Sequence, residues 1–126
     1  MKIESQSLTT CEVAPDGNTI VLGFLASDGR PARIRLPLNE AGTLAVTLPN
    51  LLSAALRSRY GDQSLRYVYP LVSWRLEQSA DPATVMMTLG TMDGFSVCFS
   101  MEPEQQSKLG EALTSEHRGN ATVVAH

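Results

Sequence analysis

The pattern of hydrophobic and polar positions in this chain occurs twice. Shifted by 65 residues, "TIVLGFLASDG" (Thr19–Gly29) lies over "TVMMTLGTMDG" (Thr84–Gly94) without a gap. Glu12 then meets Glu77, Asp16 meets Asp81, and Asp28-Gly29 meets Asp93-Gly94. Further along, Ala32, Ile34 and Leu36 meet Val97, Phe99 and Met101, while Leu44 and Leu48 meet Leu109 and Leu113. Such internal self-similarity is the mark of one supersecondary unit used more than once.

Each unit reads as strand, strand, strand, helix. The predicted strands are Ser7–Val13, Thr19–Ala26 and Ala32–Leu38, then Val72–Gln78, Thr84–Thr91 and Phe95–Met101. The third of each set alternates apolar with polar residues, the period of a half-buried strand. The first helix carries Leu44, Leu48, Leu51, Leu52, Ala55 and Leu56 at helical spacing, with Asn39 as the expected N-cap. Pro49 interrupts that run, and an interior proline costs about 3 kcal/mol, so a bend or a second helix is expected there. A rival reading makes residues 43–48 a strand and starts the helix at Pro49. The second helix has Pro103 in its first turn, Glu102 and Glu104 at its positive end, and Leu109, Ala112 and Leu113 as its apolar side.

The fold expected from this pattern is α+β. It is a tandem duplication of a β-β-β-α unit, with antiparallel sheets, helices packed on one face and a pseudo-twofold between the repeats. The repeats span about 3–58 and 67–116 of a single domain 1–116, with a linker over 59–66 in which Gly61 terminates the helix. Residues 117–126, with both histidines in or beside them, are expected to form a flexible tail.

The Asp-Gly pairs suit a two-residue type I′ hairpin, whose central residues both take φ > 0. That loop length would set Leu25 opposite Ala32, Gly23 opposite Ile34 and Val21 opposite Leu36, with the matching set Gly90–Val97, Thr88–Phe99 and Met86–Met101. The helix is expected on this face, where glycines would permit close approach. The other face would then carry Ile20, Leu22 and Phe24 beside Arg33 and Arg35, and Val85, Met87 and Leu89 beside Cys98 and Ser100. Six large apolar side chains on an exposed face mark an interface, since burying each is worth about 1.5–3 kcal/mol.

Composition narrows the function only a little. At 126 residues, 43% hydrophobic and 18% charged, the chain is long enough to fold without a metal or disulfide. Its net charge of −3 disfavours general nucleic-acid binding. The charge is uneven, because residues 30–75 contain seven arginines against Glu40 and Asp62. Cys11 and Cys98 form no CxxC, and the N-terminus has no apolar leader segment, which together suggest a cytoplasmic protein with reduced thiols. On that reading the sequon Asn120-Ala121-Thr122 has no role.

No phosphate loop, dinucleotide fingerprint, zinc motif or nucleophile elbow occurs, so no catalytic residue, cofactor or metal is assigned. The matched carboxylates Glu12/Glu77 and Asp28/Asp93 read as solvated strand and turn positions rather than an acid–base pair. Cys98 reads as a small buried apolar residue. One stretch remains, "RYGDQSLRYVYPLVSW" (Arg59–Trp74), which holds all three tyrosines and the tryptophan. Arg66, Tyr67, Tyr69 and Arg75, extended by Arg33 and Arg35, have the interleaving of aromatics and arginines that a single-stranded nucleic-acid or anion platform uses. The first repeat has no aromatics at the matching positions, so an edge strand or subunit interface is the preferred reading. The sequence therefore points to a small non-enzymatic interaction module, a homodimer formed through Ile20, Leu22, Phe24, Val85, Met87 and Leu89. Binding of an anionic ligand is the alternative.

Overall fold

A computed structural model describes residues 1–115. Its elements run β1 (Ser5–Val13), β2 (Thr19–Ala26), β3 (Pro31–Pro37), α1 (Leu38–Tyr60), β4 (Ser73–Gln78), β5 (Val85–Gly90), β6 (Ser96–Met101) and α2 (Pro103–Thr114). The fold is α+β, with two separate three-stranded antiparallel meanders, β1-β2-β3 and β4-β5-β6. The chain divides into two compact units, Met1–Tyr67 and the remainder from Val68. The 65-residue offset carries Val13, the end of β1, onto Gln78, the end of β4, and Leu38, the start of α1, onto Pro103, the start of α2. The expected tail, with His117 and His126, lies outside the described residues.

The β2–β3 and β5–β6 hairpins have three-residue loops, not the expected two. In the first, the Gly29 amide donates to the Ala26 carbonyl at 2.9 Å and the Ala26 amide to the Arg30 carbonyl at 2.8 Å. Only Gly29 has positive φ (86°), so a type I turn is closed by a glycine bulge. Thr91, Gly94 and Phe95 repeat the pattern, with Gly94 at φ 88°. The aspartates serve through their carboxylates instead of through φ. Asp28 Oδ1 accepts from the Arg30 amide at 2.9 Å, as Asp16 and Asp81 accept from the amides two residues on.

α1 is one continuous helix through Pro49. The missing proline amide would have bonded to the Ala45 carbonyl, and the turn before it carries extra bonds. Thr43 Oγ1 donates to the Asn39 carbonyl (3.0 Å) and Thr47 Oγ1 to the Thr43 carbonyl (2.6 Å). The cap is Pro37 rather than Asn39, so the helix follows β3 directly, and Gly61 (φ 64°) ends it as expected. α2 begins with Pro103 and a capping box, in which Gln105 Oε1 accepts from the Glu102 amide at 2.9 Å.

Buried apolar residues are few. Among the described residues only Ala14 and Val21 are buried hydrophobics, and neither helix contains a buried residue. Gly23 and Gly90 are buried too, but not to admit a helix. A side chain at Gly23 would meet the Thr10 hydroxyl, and one at Gly90 would meet the Ser73 hydroxyl, both from the neighbouring strand.

Candidate functional site

Adding one residue to each loop moves the register by one, and a one-residue slip changes which side chains share a face. In the first unit Ile20 stands opposite Leu36, Leu22 opposite Ile34 and Phe24 opposite Ala32. β1 adds Val13 opposite Ile20, Cys11 opposite Leu22 and Leu8 opposite Phe24. One face of this sheet is therefore apolar throughout. Arg33 and Arg35, expected beside Ile20 and Leu22, instead lie opposite Gly23 and Val21 on the other face.

That second face is finished by its own side chains. Glu12 also pairs with Val21, and its carboxylate is 4.0 Å from the Arg33 guanidinium. Long arginine and glutamate stems cover apolar surface while their heads stay in water. Val21 between them is only 7% exposed.

The second unit repeats the sorting. Val85 lies opposite Met101, Met87 opposite Phe99 and Leu89 opposite Val97, while β4 contributes Leu76 opposite Met87 and Trp74 opposite Leu89. The reverse face is Ser73, Arg75, Glu77, Met86, Thr88, Ser96, Cys98 and Ser100. Cys98 and Ser100 thus leave the apolar face on which they were expected, and Cys98 is exposed rather than buried. Arg75 and Glu77, two apart on β4, form a 3.0 Å ion pair.

The apolar faces are not covered within their own units. Ile20, Leu22, Phe24, Val85, Met87 and Leu89 are half-buried by their strand neighbours. Around them Leu8, Val13, Ile34, Leu76 and Phe99 are exposed, and Trp74 is 73% exposed. On the second sheet a cleft of about 240 Å³ is lined by Tyr69, Leu71, Leu89, Phe95, Val97 and Phe99. Val97 and Phe99 were missed as face residues because the assumed register turned them away, and Trp74 and Leu76 because β4 was given no register to β5.

The six residues of the anion-binding reading fall in different settings. Arg33 and Arg35 share the solvated face of the first sheet. The segment after α1 doubles back on that helix, with the Tyr67 amide donating to Ser53 Oγ at 3.0 Å and Arg57 Nη1 to the Leu65 carbonyl at 3.2 Å. Tyr67 and Tyr69 precede β4 rather than lying in a strand, so the two-residue spacing does not align them. The Tyr69 ring stacks on Phe95 with centroids 5.0 Å apart.

Two carboxylates have shifted acidity, and both are turn residues. The Ser64 hydroxyl and then its amide lower the pKa of Asp62. The Thr91 hydroxyl, first among several donors, does the same for Asp93. Among the described residues, no group of three or more Asp, Glu, His or Cys side chains is placed to hold a metal ion, and no helix is long and apolar enough to cross a membrane. No protein family matches this chain, nor does any curated protein or solved structure.

Proposed function

We propose that this chain is a small, non-enzymatic interaction module of the cytoplasm that self-associates as a homodimer through its apolar sheet faces. Ile20, Leu22 and Phe24 form the centre of one face, and Val85, Met87 and Leu89 form the centre of the other. The observation that carries the proposal is the sorting of side chains, with apolar residues of all three strands on one side of each sheet and arginines, glutamates and hydroxyls on the reverse. A patch of this size left in water is the ordinary signature of a binding surface. In this reading the two β-β-β-α repeats are related by a pseudo-twofold, which lets one duplicated surface serve both halves.

The test is the double variant Leu22→Glu/Met87→Glu, followed by native mass spectrometry. Wild-type protein is expected at twice the chain mass, and the variant as monomer or as unfolded material. A soluble variant with unchanged oligomeric state would sink the proposal.

The anion-binding alternative has one supporting observation, that Arg33 and Arg35 point from the same solvated face of β3. Against it, Arg33 and Arg75 each have a carboxylate partner.

A further inference from the structure

The element that covers the first sheet can be argued from the chain path. β3 ends at Pro37 and α1 begins at Leu38, with no residue between them. Connections between a strand and a helix that packs back on its sheet ordinarily take about 2–6 residues. α1 follows without such a connection, and it comes near β2 and β3 without burying any of its own residues. Most of its apolar stripe is exposed, Leu44, Leu48, Leu51 and Leu52 among it, while Leu56 is half-buried. One unit thus presents an apolar sheet face and an apolar helix stripe that both stay largely exposed.

The two surfaces match in size. A helix of 23 residues is about 34 Å long. The strands of the first sheet, 7 to 9 residues each, run about 23–30 Å. A third of the circumference of an ~11 Å cylinder of that length is about 400 Å². Two such helices on two such sheets remove about 1,600 Å² from water, the size of a standard stable interface. The other helix of the same chain is a poorer cover. Among the described residues α2 offers only Leu109, Ala112 and Leu113 to a face that contains Leu8, Val13, Ile20, Leu22, Phe24 and Ile34.

We infer that α1 of one copy lies across the apolar face of β1-β2-β3 in a second copy, and that the exchange is reciprocal. The inference rests on the homodimer proposed above and specifies its contact as helix on sheet rather than sheet on sheet. Reciprocal exchange of an identical element satisfies both surfaces using the same chain twice.

Cys11, exposed and opposite Leu22 on that face, supplies a native probe. A tagged copy carrying Leu48→Cys, Cys11→Ser and Cys98→Ser is co-expressed with an untagged copy carrying Cys98→Ser alone, and the purified mixture is oxidised. The expected result is a disulfide joining tagged to untagged chains through position 48 and Cys11, visible as a doubled mass on a non-reducing gel. Leu52→Cys, one turn further along the stripe, is expected to repeat it if the first position is poorly aligned. Dimers in native mass spectrometry that form neither disulfide would overturn the exchange while leaving self-association standing. Monomers would overturn both.

Discussion

Leu22 stands directly opposite Ile34 across the β2–β3 ladder, and not opposite Arg35. This pairing decides the character of the whole sheet. With Leu22 facing Ile34, Ala32, Ile34 and Leu36 join the side of Ile20 and Phe24, and both arginines leave it. Met87 opposite Phe99 does the same in the second unit, 65 residues later. The pairing depends on one extra loop residue in each hairpin, so the turn is where the face is made.

Gly29 and Gly94 should therefore be sensitive positions. Both have positive φ, where a Cβ costs about 1–2 kcal/mol. Gly29→Ala or Gly94→Ala is expected to destabilise by about that amount in urea unfolding. Gly42, inside α1 with open space where a Cβ would go, is expected to respond with the opposite sign, gaining about 0.5–1 kcal/mol on replacement by Ala. Equal effects at all three sites would mean that the loops do not have the geometry described.

Asp93 offers a test of the same turn by titration. Its carboxyl lies below the ordinary aspartate value chiefly because the Thr91 hydroxyl donates to it. A folded pKa depressed below the unfolded value of about 3.9 gives stability that is present above that pH and lost as pH falls through the folded pKa. In the Thr91→Val variant the Asp93 titration followed by NMR should move upward, and the stability that this carboxylate loses in acid should shrink, because its folded and unfolded pKa values draw together. An unmoved titration would remove Thr91 as the cause.

Much of the fold was legible because two strong signals agreed, the two-residue alternation within strands and the recurrence of Asp-Gly at the same offset. Strand order, helix start at Pro103 and helix stop at Gly61 all follow from local chemistry of that kind. Loop length did not. Asp-Gly satisfies a two-residue turn with φ > 0 at both positions, and equally a three-residue turn in which only the glycine needs it. Ala32, Ile34 and Leu36 held the missing clue, since a register placing them with Ile20, Leu22 and Phe24 takes both arginines off that face. Pro49 was ambiguous for a different reason, because threonine hydroxyls at positions 43 and 47 support the helix through bonds that spacing alone does not reveal.

Charge placed on either side of the second sheet should discriminate its faces. Leu76→Glu lies on the apolar side and Thr88→Glu on the polar side, one strand apart. Leu76→Glu is expected to shift the native mass toward monomer or to cost about 1–3 kcal/mol of stability through loss of apolar burial. Thr88→Glu should leave the mass unchanged and alter stability by about 0.5 kcal/mol or less. The reverse ranking would mean that the interface uses the polar side.

The arginines supply the last comparison, because the two functional readings differ on what salt does. A self-associating module held by apolar faces should keep its dimer mass as salt rises, since apolar burial is not screened. An anion-binding surface behaves otherwise, releasing counterions for each phosphate it neutralises, so that its affinity falls steeply with salt. Fluorescence titration with a single-stranded oligonucleotide at low salt is expected to give no saturable binding. Arg33 is near Glu12 and Arg75 is paired with Glu77, so each would bring a carboxylate toward any phosphate it met. Saturable binding whose log–log salt slope decreases by about one for each of Arg33→Ala and Arg35→Ala would reverse the order of the two readings. In that event the solvated face of β3, and not the apolar face behind it, would be the functional surface.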